Sequence, residues 1–374
     1  VTKQKHPLSC SSEPSKQLTL TTAEITTARI SISPLDTSSP ARKQLLLVSY
    51  GRTGSSFTSA IISHDPDVFL IFEPLHVFND DLHGDTVTKE TQQRVFSVID
   101  AYLRCDFGGL NQSLFADELL ESSNSTKPLY NCLKNKEVSG YTHVECFLST
   151  WYSCHRHKLT LIKTIRFRAE WAEYFLRRHH NLKILYLVRD VRAVLHSQAI
   201  HFQNSTRKEQ AAENAADFCQ KVFKDSQIFQ QLSSKFPGRV QGVRYEHGCL
   251  DPEGYARAIY TFAGLNFTNI TRRYLKEITK SNTTQETPMN PYSVVRQDSL
   301  QAMNNWRRVA DYDVVKTIDT ICRDVHSFLG YRPVRSLQDL VSDQWLVTPV
   351  SNGLFHWFTE KLTVTINNTS HAKG

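Results

Sequence analysis

The sequence predicts an α/β protein: a doubly wound, P-loop-like parallel sheet flanked by helices, with a disulfide-stapled insertion. Three observations predict it. Short, almost wholly apolar runs recur along the chain, as strands buried on both faces require. Segments with helical periodicity alternate with them over short connections, the pattern of βαβ units. One stretch, residues 105–157, breaks the rhythm with four cysteines and two glycosylation sequons.

Taken in order, residues 1–40 contain 19 Ser, Thr or Pro. Such a segment cannot bury enough surface to offset its ordering entropy, so residues 1–43 read as a flexible stem. The folded part is expected from Gln44, where Leu45-Leu46-Leu47-Val48 forms a first strand ending in a Gly-containing turn. A helix follows over Ser55–Ser63, then a second strand over Val68–Phe72, closed by Glu73-Pro74. Beyond a helix at Lys89–Leu103 and the 105–157 insertion come strands at Leu159–Ile165, Leu182–Val188 and Val240–Tyr245. Helices are expected at Ala169–His179, Asp190–His201, Lys208–Phe236, Pro252–Ala263 and Tyr312–Leu329. This gives one domain over 44–333. The tail, 334–374, is ambiguous, with Leu354–Phe358 expected to pack back as a small cap.

At 374 residues with 40% apolar and 22% charged residues, the chain is globular rather than disordered or fibrous. Lys and Arg number 44 against 37 Asp and Glu, a net charge of +7. That mild excess suits a protein handling phosphate, sulfate or acidic polysaccharide but does not require it. Sequons begin at Asn111, Asn124, Asn204, Asn266, Asn269, Asn282, Asn367 and Asn368. With 66 Ser and Thr in the chain, chance would supply about three. Eight cysteines with no C-x-x-C pair favour structural disulfides in an oxidising compartment. Both signals point to folding in the secretory pathway. No stretch approaches the roughly 18 apolar residues of a membrane span, so an anchor or signal upstream of Val1 is expected to direct the chain there.

The chemistry concentrates in Gly51-Arg52-Thr53-Gly54-Ser55-Ser56-Phe57, between a strand and a helix. Glycines let the backbone curl round a ligand, and free N–H groups at the helix start point at negative oxygens. Ser and Thr hydroxyls add neutral donors, and Arg52 adds a planar, permanently charged fork. It is not a Walker A loop, because no Lys follows Gly54. A second site pairs Arg189, at the end of the Leu182–Val188 run, with Ser197. Two helical turns separate residue 190 from Ser197 and place them on one side, suited to gripping a second phosphate.

The pair Arg52-Thr53-Gly54-Ser55-Ser56-Phe57 and Leu187-Val188-Arg189-Asp190…Ser197 resembles the two nucleotide-binding elements of Golgi carbohydrate 6-O-sulfotransferases, which act on galactose, N-acetylglucosamine or N-acetylgalactosamine. The likeness extends through Phe72-Glu73-Pro74-Leu75, Cys105-Asp106-Phe107, Lys163-Thr164-Ile165-Arg166, Arg244-Tyr245-Glu246 and Leu329-Gly330-Tyr331, in the family's order over residues 44–333. Two departures are Val191 after Asp190, where relatives usually have Pro, and His247 after Glu246, where an acidic residue is usual. They bear on subfamily.

The resemblance implies 3′-phosphoadenosine 5′-phosphosulfate as donor, the 52–57 loop holding its 5′-phosphosulfate and Arg189 with Ser197 its 3′-phosphate. It also implies a glycan or proteoglycan acceptor, a Golgi lumenal setting with membrane attachment only through an upstream anchor, and room for a homodimer; no nucleic acid is involved. Sulfuryl transfer is an in-line displacement, so positioning and electrostatics supply the catalysis, without a metal. Arg52 would stabilise charge building on the departing phosphate. A sugar hydroxyl needs a general base, for which Glu73 is the choice at the end of the second strand, with His76 as the rival.

Other constellations carry less. His143, Cys146, Cys154 and His157 could form a Cys2His2 zinc site, but oxidising conditions favour disulfides. Trp306 either stacks on the adenine or packs ahead of a helix starting near Asp311. Glu246 reads as a structural hydrogen-bond acceptor. A kinase would need the missing Lys, and a catalytically silent glycan-binding protein sits poorly with intact Arg52, Glu73, Arg189 and Ser197.

Overall fold

The computed structural model describes residues 42–355, apart from residues 85 and 116 and the segments 135–141, 202–207, 281–293 and 351–352. The stem expected at 1–43 therefore lies outside the described residues except for Arg42 and Lys43, and Lys43 already belongs to the first strand.

Five strands form one sheet: β1 (Lys43–Val48), β2 (Val68–Phe72), β3 (Leu159–Thr164), β4 (Leu182–Val188) and β5 (Val240–Arg244). Their order is β2-β3-β1-β4-β5 and every pairing is parallel. At the centre, Leu46 of β1 lies between Ile162 of β3 and Ile184 of β4. All residues of β2, β3 and β5 are buried; β2 accordingly reads as a continuous apolar run, whereas β3 and β5 also bury the polar side chains of Lys163, Gln241 and Arg244.

The helices that follow each strand cover the sheet. They are α1 (Ser55–Ser63), α2 (Lys89–Arg104), α3 (Lys127–Lys134), α4 (His143–Arg156), α5 (Ala172–Arg178), α6 (Val191–His201) and α7 (Lys208–Lys235). After β5 come α8 (Tyr245–Leu250), α9 (Pro252–Ala263), α10 (Asn269–Thr279), α11 (Ser299–Val309), α12 (Tyr312–Ile321) and α13 (Arg323–Leu329). Helix α1 packs on β2 and β3, α2 on β3, α5 on β4, α7 on β5 and α9 on β1.

Three differences from the sequence reading have physical causes. The helix expected over Tyr312–Leu329 breaks at Cys322, which caps α12 outside helical geometry and is disulfide-bonded to Cys219 on α7. The break lets both short helices rest on α7. Helices α10 and α11 start at side-chain caps, Thr268 accepting from Thr271 N and Asp298 from Leu300 N and Gln301 N. The sequence reading placed no helix over either segment. Trp306 accordingly lies inside α11, still ahead of the helix that Asp311 caps, and is buried beside the Arg192 guanidinium.

The insertion is stapled by Cys105–Cys154 and Cys132–Cys146. Because Cys146 and Cys154 belong to different disulfides, they form no zinc site with His143 and His157. Three disulfides bear out the expected structural role of the cysteines; Cys249 is a buried free thiol, and Cys10 lies outside the described residues. At the sheet edge, the Leu354 carbonyl accepts from Gly242 N at 2.8 Å and from Gln241 Nε2 at 2.6 Å, covering part of β5. Residues 356–358 of the expected cap lie outside the described residues. Cys219–Cys322 closes 103 residues of chain, so a Cys219→Ser/Cys322→Ser variant should lose about 2–5 kcal/mol. Chemical denaturation checks this; a midpoint equal to that of the parent protein would contradict it.

Candidate functional site

In a parallel sheet the carboxyl ends of the strands all open onto one edge, and here they converge on a single cleft of about 390 Å³. Arg52 and Gly54 line it after β1, Glu73 and His76 after β2, Ile165 and Arg166 after β3, Arg189 after β4 and Tyr245 after β5. Arg52, Lys163, Arg166, Arg189 and Arg296 give the wall five permanent or near-permanent cations against the one carboxylate of Glu73. Such a surface attracts a multiply charged anion.

The floor is the start of α1. Gly54 is its N-cap, in the left-handed region at φ 91°, and no side chain caps the helix. The N–H groups of the first turn are thereby left to a ligand in the cleft. Only glycine fits here for a second reason: an added Cβ would stand 2.3 Å from Cδ2 of Tyr245, whose ring lies over the loop. Ser55, Ser56 and Phe57 also line the cleft. Thr53 does not: it is buried, and its hydroxyl donates back to the Tyr50 carbonyl at 2.8 Å. Its contribution is to brace the loop.

The two anion-binding elements meet through Arg52. Its Nε donates to Ser197 Oγ at 3.0 Å, and its Nη2 lies 2.6 Å from His201 Nε2. Partial burial, and then the Arg52 charge, holds His201 below the usual histidine range, so the neutral ring accepts from the guanidinium. Arg189 Nη1 donates to the Arg52 carbonyl at 3.1 Å, and its guanidinium lies 4.7 Å from the centre of the Tyr245 ring. The Nε of Arg189 is buried with no hydrogen-bond partner. The guanidinium as a whole still lines the cleft, where a cation is suited to a phosphate oxygen.

Beneath Arg189 lies a buried network. Asp190 N donates to Glu246 Oε1 at 3.0 Å, and Tyr331 donates to Glu246 Oε2 at 2.7 Å, which makes Glu246 the structural acceptor expected. Arg192 pairs with Asp190 and Asp319 at 2.7 and 2.9 Å. His247 is neutral, driven well below its usual range by burial and by the adjacent Arg244.

Glu73 adopts φ 52° and Arg52 φ 73°, left-handed conformations that cost a non-glycine residue about 1–2 kcal/mol. The Glu73 carboxylate is 3% exposed. Its Oε1 accepts from Lys163 Nζ at 2.5 Å, and its Oε2 from Arg166 Nη1 at 3.1 Å and from Ile165 N at 3.2 Å. A carboxylate offers about four lone-pair sites, so one remains on Oε1. His76 stands at the rim, its Nδ1 2.7 Å from Asp117 Oδ2. Cys249 also lines the cleft, but burial pushes its thiol up to about 12, which leaves it neutral.

The structure therefore brings Arg52, Gly54, Ser55, Ser56, Phe57, Glu73 and Arg189 to the cleft and leaves Thr53 behind them; Ser197 does not line the cleft and meets the site only through its bond from Arg52. Trp306 is not among the lining residues. The sequence reading gave no role to Lys163, Arg166, Tyr245, Arg296 or Asp117. Lys163 carried a usable signal: a Lys inside an otherwise buried strand needs a buried partner.

Residues 44–269 match the model of the Sulfotransferase family. Human carbohydrate sulfotransferase 6 is 27% identical over 79% of this chain and 82% of its own length. Human carbohydrate sulfotransferase 5 is 26% identical over 86% of each chain. Carbohydrate sulfotransferase 3 of Tetronarce californica is 27% identical over 80% of this chain and 75% of its own.

Proposed function

The chain belongs to the sulfotransferase family, and from that premise we propose that it moves a sulfuryl group from 3′-phosphoadenosine 5′-phosphosulfate to the 6-hydroxyl of a galactose, N-acetylglucosamine or N-acetylgalactosamine residue in a glycan or glycosaminoglycan. The names of its relatives favour a carbohydrate acceptor. The sequons and disulfides favour a lumenal site of action, in the Golgi. The observation that carries the donor assignment is the uncapped start of α1 facing a cleft with five cations.

In this reading the first-turn N–H groups and Ser55 and Ser56 hold the 5′-phosphosulfate. Arg52 and Lys163 stabilise the charge that builds on the departing phosphate. Arg189 and Ser197 hold the 3′-phosphate, for which Ser197 exchanges its bond from Arg52. Glu73 takes the proton from the attacking hydroxyl, using the remaining lone pair on Oε1. Lys163 and Arg166 fix that carboxylate in place.

Binding of adenosine 3′,5′-bisphosphate tests the donor site without turnover. Saturating ligand should raise the melting temperature of the protein by several degrees. Arg189→Ala should weaken binding about tenfold or more, because a charge-assisted contact to phosphate is lost. Absence of any shift at millimolar ligand would contradict the assignment.

A further inference from the structure

At the rim of the cleft, one carboxylate organises two side chains that the donor site does not use. Asp117 is 9% exposed, and its Oδ2 lies 2.7 Å from His76 Nδ1. Its Oδ1 accepts from Leu119 N at 2.8 Å, capping the short 3-10 turn Glu118–Ser122. His76 and Leu119 both line the cleft, next to Phe72. A carboxylate only accepts, so His76 Nδ1 carries a proton toward Asp117, and the ring is held with its other nitrogen, Nε2, away from that carboxylate. The pair thus offers a fixed polar ring nitrogen beside two apolar side chains.

We infer that His76, set by Asp117, recognises the acceptor sugar. A pyranose ring has this character: hydroxyl donors on its edge and an apolar C–H face. Depth separates this role from proton transfer. Glu73 is 3% exposed among the cations of the wall, whereas the His76 side chain is 36% exposed at the mouth. The donor fills the depth, and the acceptor enters over the rim. His76 touches the substrate; Asp117 is a positioning residue that acts through the ring and through Leu119. This inference rests on the sulfotransferase reading.

Steady-state kinetics of the whole chain with the sulfate donor and a saccharide acceptor tests it. His76→Ala should raise the acceptor KM about tenfold, the worth of one good hydrogen bond, and leave the donor KM and saturating kcat within about twofold. Asp117→Ala should move the acceptor KM in the same direction by less, and Asp117→Glu should restore part of the loss. His76→Leu, which keeps bulk but lacks a ring nitrogen, serves if the alanine variant does not fold. Thermal shift by adenosine 3′,5′-bisphosphate should match the parent protein in each. A kcat loss of about 100-fold with unchanged KM would make His76 the base and overturn the inference. Unchanged kinetics in an active protein would overturn this inference alone. A parent protein that transfers nothing to any acceptor overturns the functional reading and this inference with it.

Discussion

Replacing Glu73 with Gln is expected to cut sulfuryl transfer by about 10²–10⁴-fold while adenosine 3′,5′-bisphosphate still binds. Glutamine keeps the shape and one acceptor oxygen, so the donor loop, which contacts the other wall of the cleft, should stay in place. It cannot take the hydroxyl proton. It also leaves Lys163, only 5% exposed, without the charge that compensates its burial. Breaking a buried pair by removing one partner destabilises by roughly 3–5 kcal/mol when nothing replaces it, and the amide oxygen should reduce that figure. A melting temperature lowered by a few degrees with bisphosphate affinity intact is the expected pattern. Turnover within tenfold of the parent protein would remove Glu73 from proton transfer. Loss of bisphosphate binding along with turnover would make its role the support of Lys163 and Arg166.

Gly54→Ala should damage both the stability of the protein and its hold on the ligand. The backbone at φ 91° costs alanine about 1–2 kcal/mol. The new Cβ would stand 2.3 Å from the Tyr245 ring, an overlap of the kind that costs about 1–3 kcal/mol more. The function suffers beyond stability, because Tyr245 is the surface on which the Arg189 guanidinium rests, 4.7 Å from its centre. Displacing the ring moves the cation and tilts the first turn of α1 together. Thermal unfolding should fall by several degrees, and calorimetric titration should show bisphosphate affinity reduced at least about tenfold. Near-parental affinity would mean that the loop tolerates a side chain at residue 54 and that its curvature is not what holds the ligand.

The fold was legible wherever burial on both faces left an unbroken apolar run. Val68–Phe72 and Leu182–Val188 have the bounds expected, because turn residues mark both ends. Strand order was not legible, since parallel pairing over long crossovers leaves no local trace. The break at Cys322 was hidden for a similar reason: its cause is a disulfide to a residue 103 positions away. In the site, Arg52, Gly54 and Arg189 could be read because each stands in a strand-to-helix turn, where backbone and charge must cooperate. Thr53 misled, because a Thr in such a loop reads as a donor to ligand, whereas its hydroxyl closes a turn on Tyr50. Asp117 was invisible because its partner His76 is 41 residues away, and a contact across that distance leaves no local trace.

The strain at Arg52 and Glu73 fits the same account. Both residues hold left-handed backbone where glycine would be easier, and both carry side chains that the proposed chemistry needs. The fold offsets that strain through the buried core beneath the cleft, where Arg192, Asp190 and Glu246 fix the ends of β4 and β5.

The most direct test of the central claim is transfer of label. The protein is incubated with 3′-phosphoadenosine 5′-phosphosulfate carrying radiolabelled sulfate and with keratan, chondroitin and N-acetylglucosamine-terminated acceptors. Label should appear on at least one acceptor at the 6-hydroxyl, and should disappear with Glu73→Gln. Protein that binds the bisphosphate yet labels no saccharide, or that transfers phosphate from ATP instead, would contradict it.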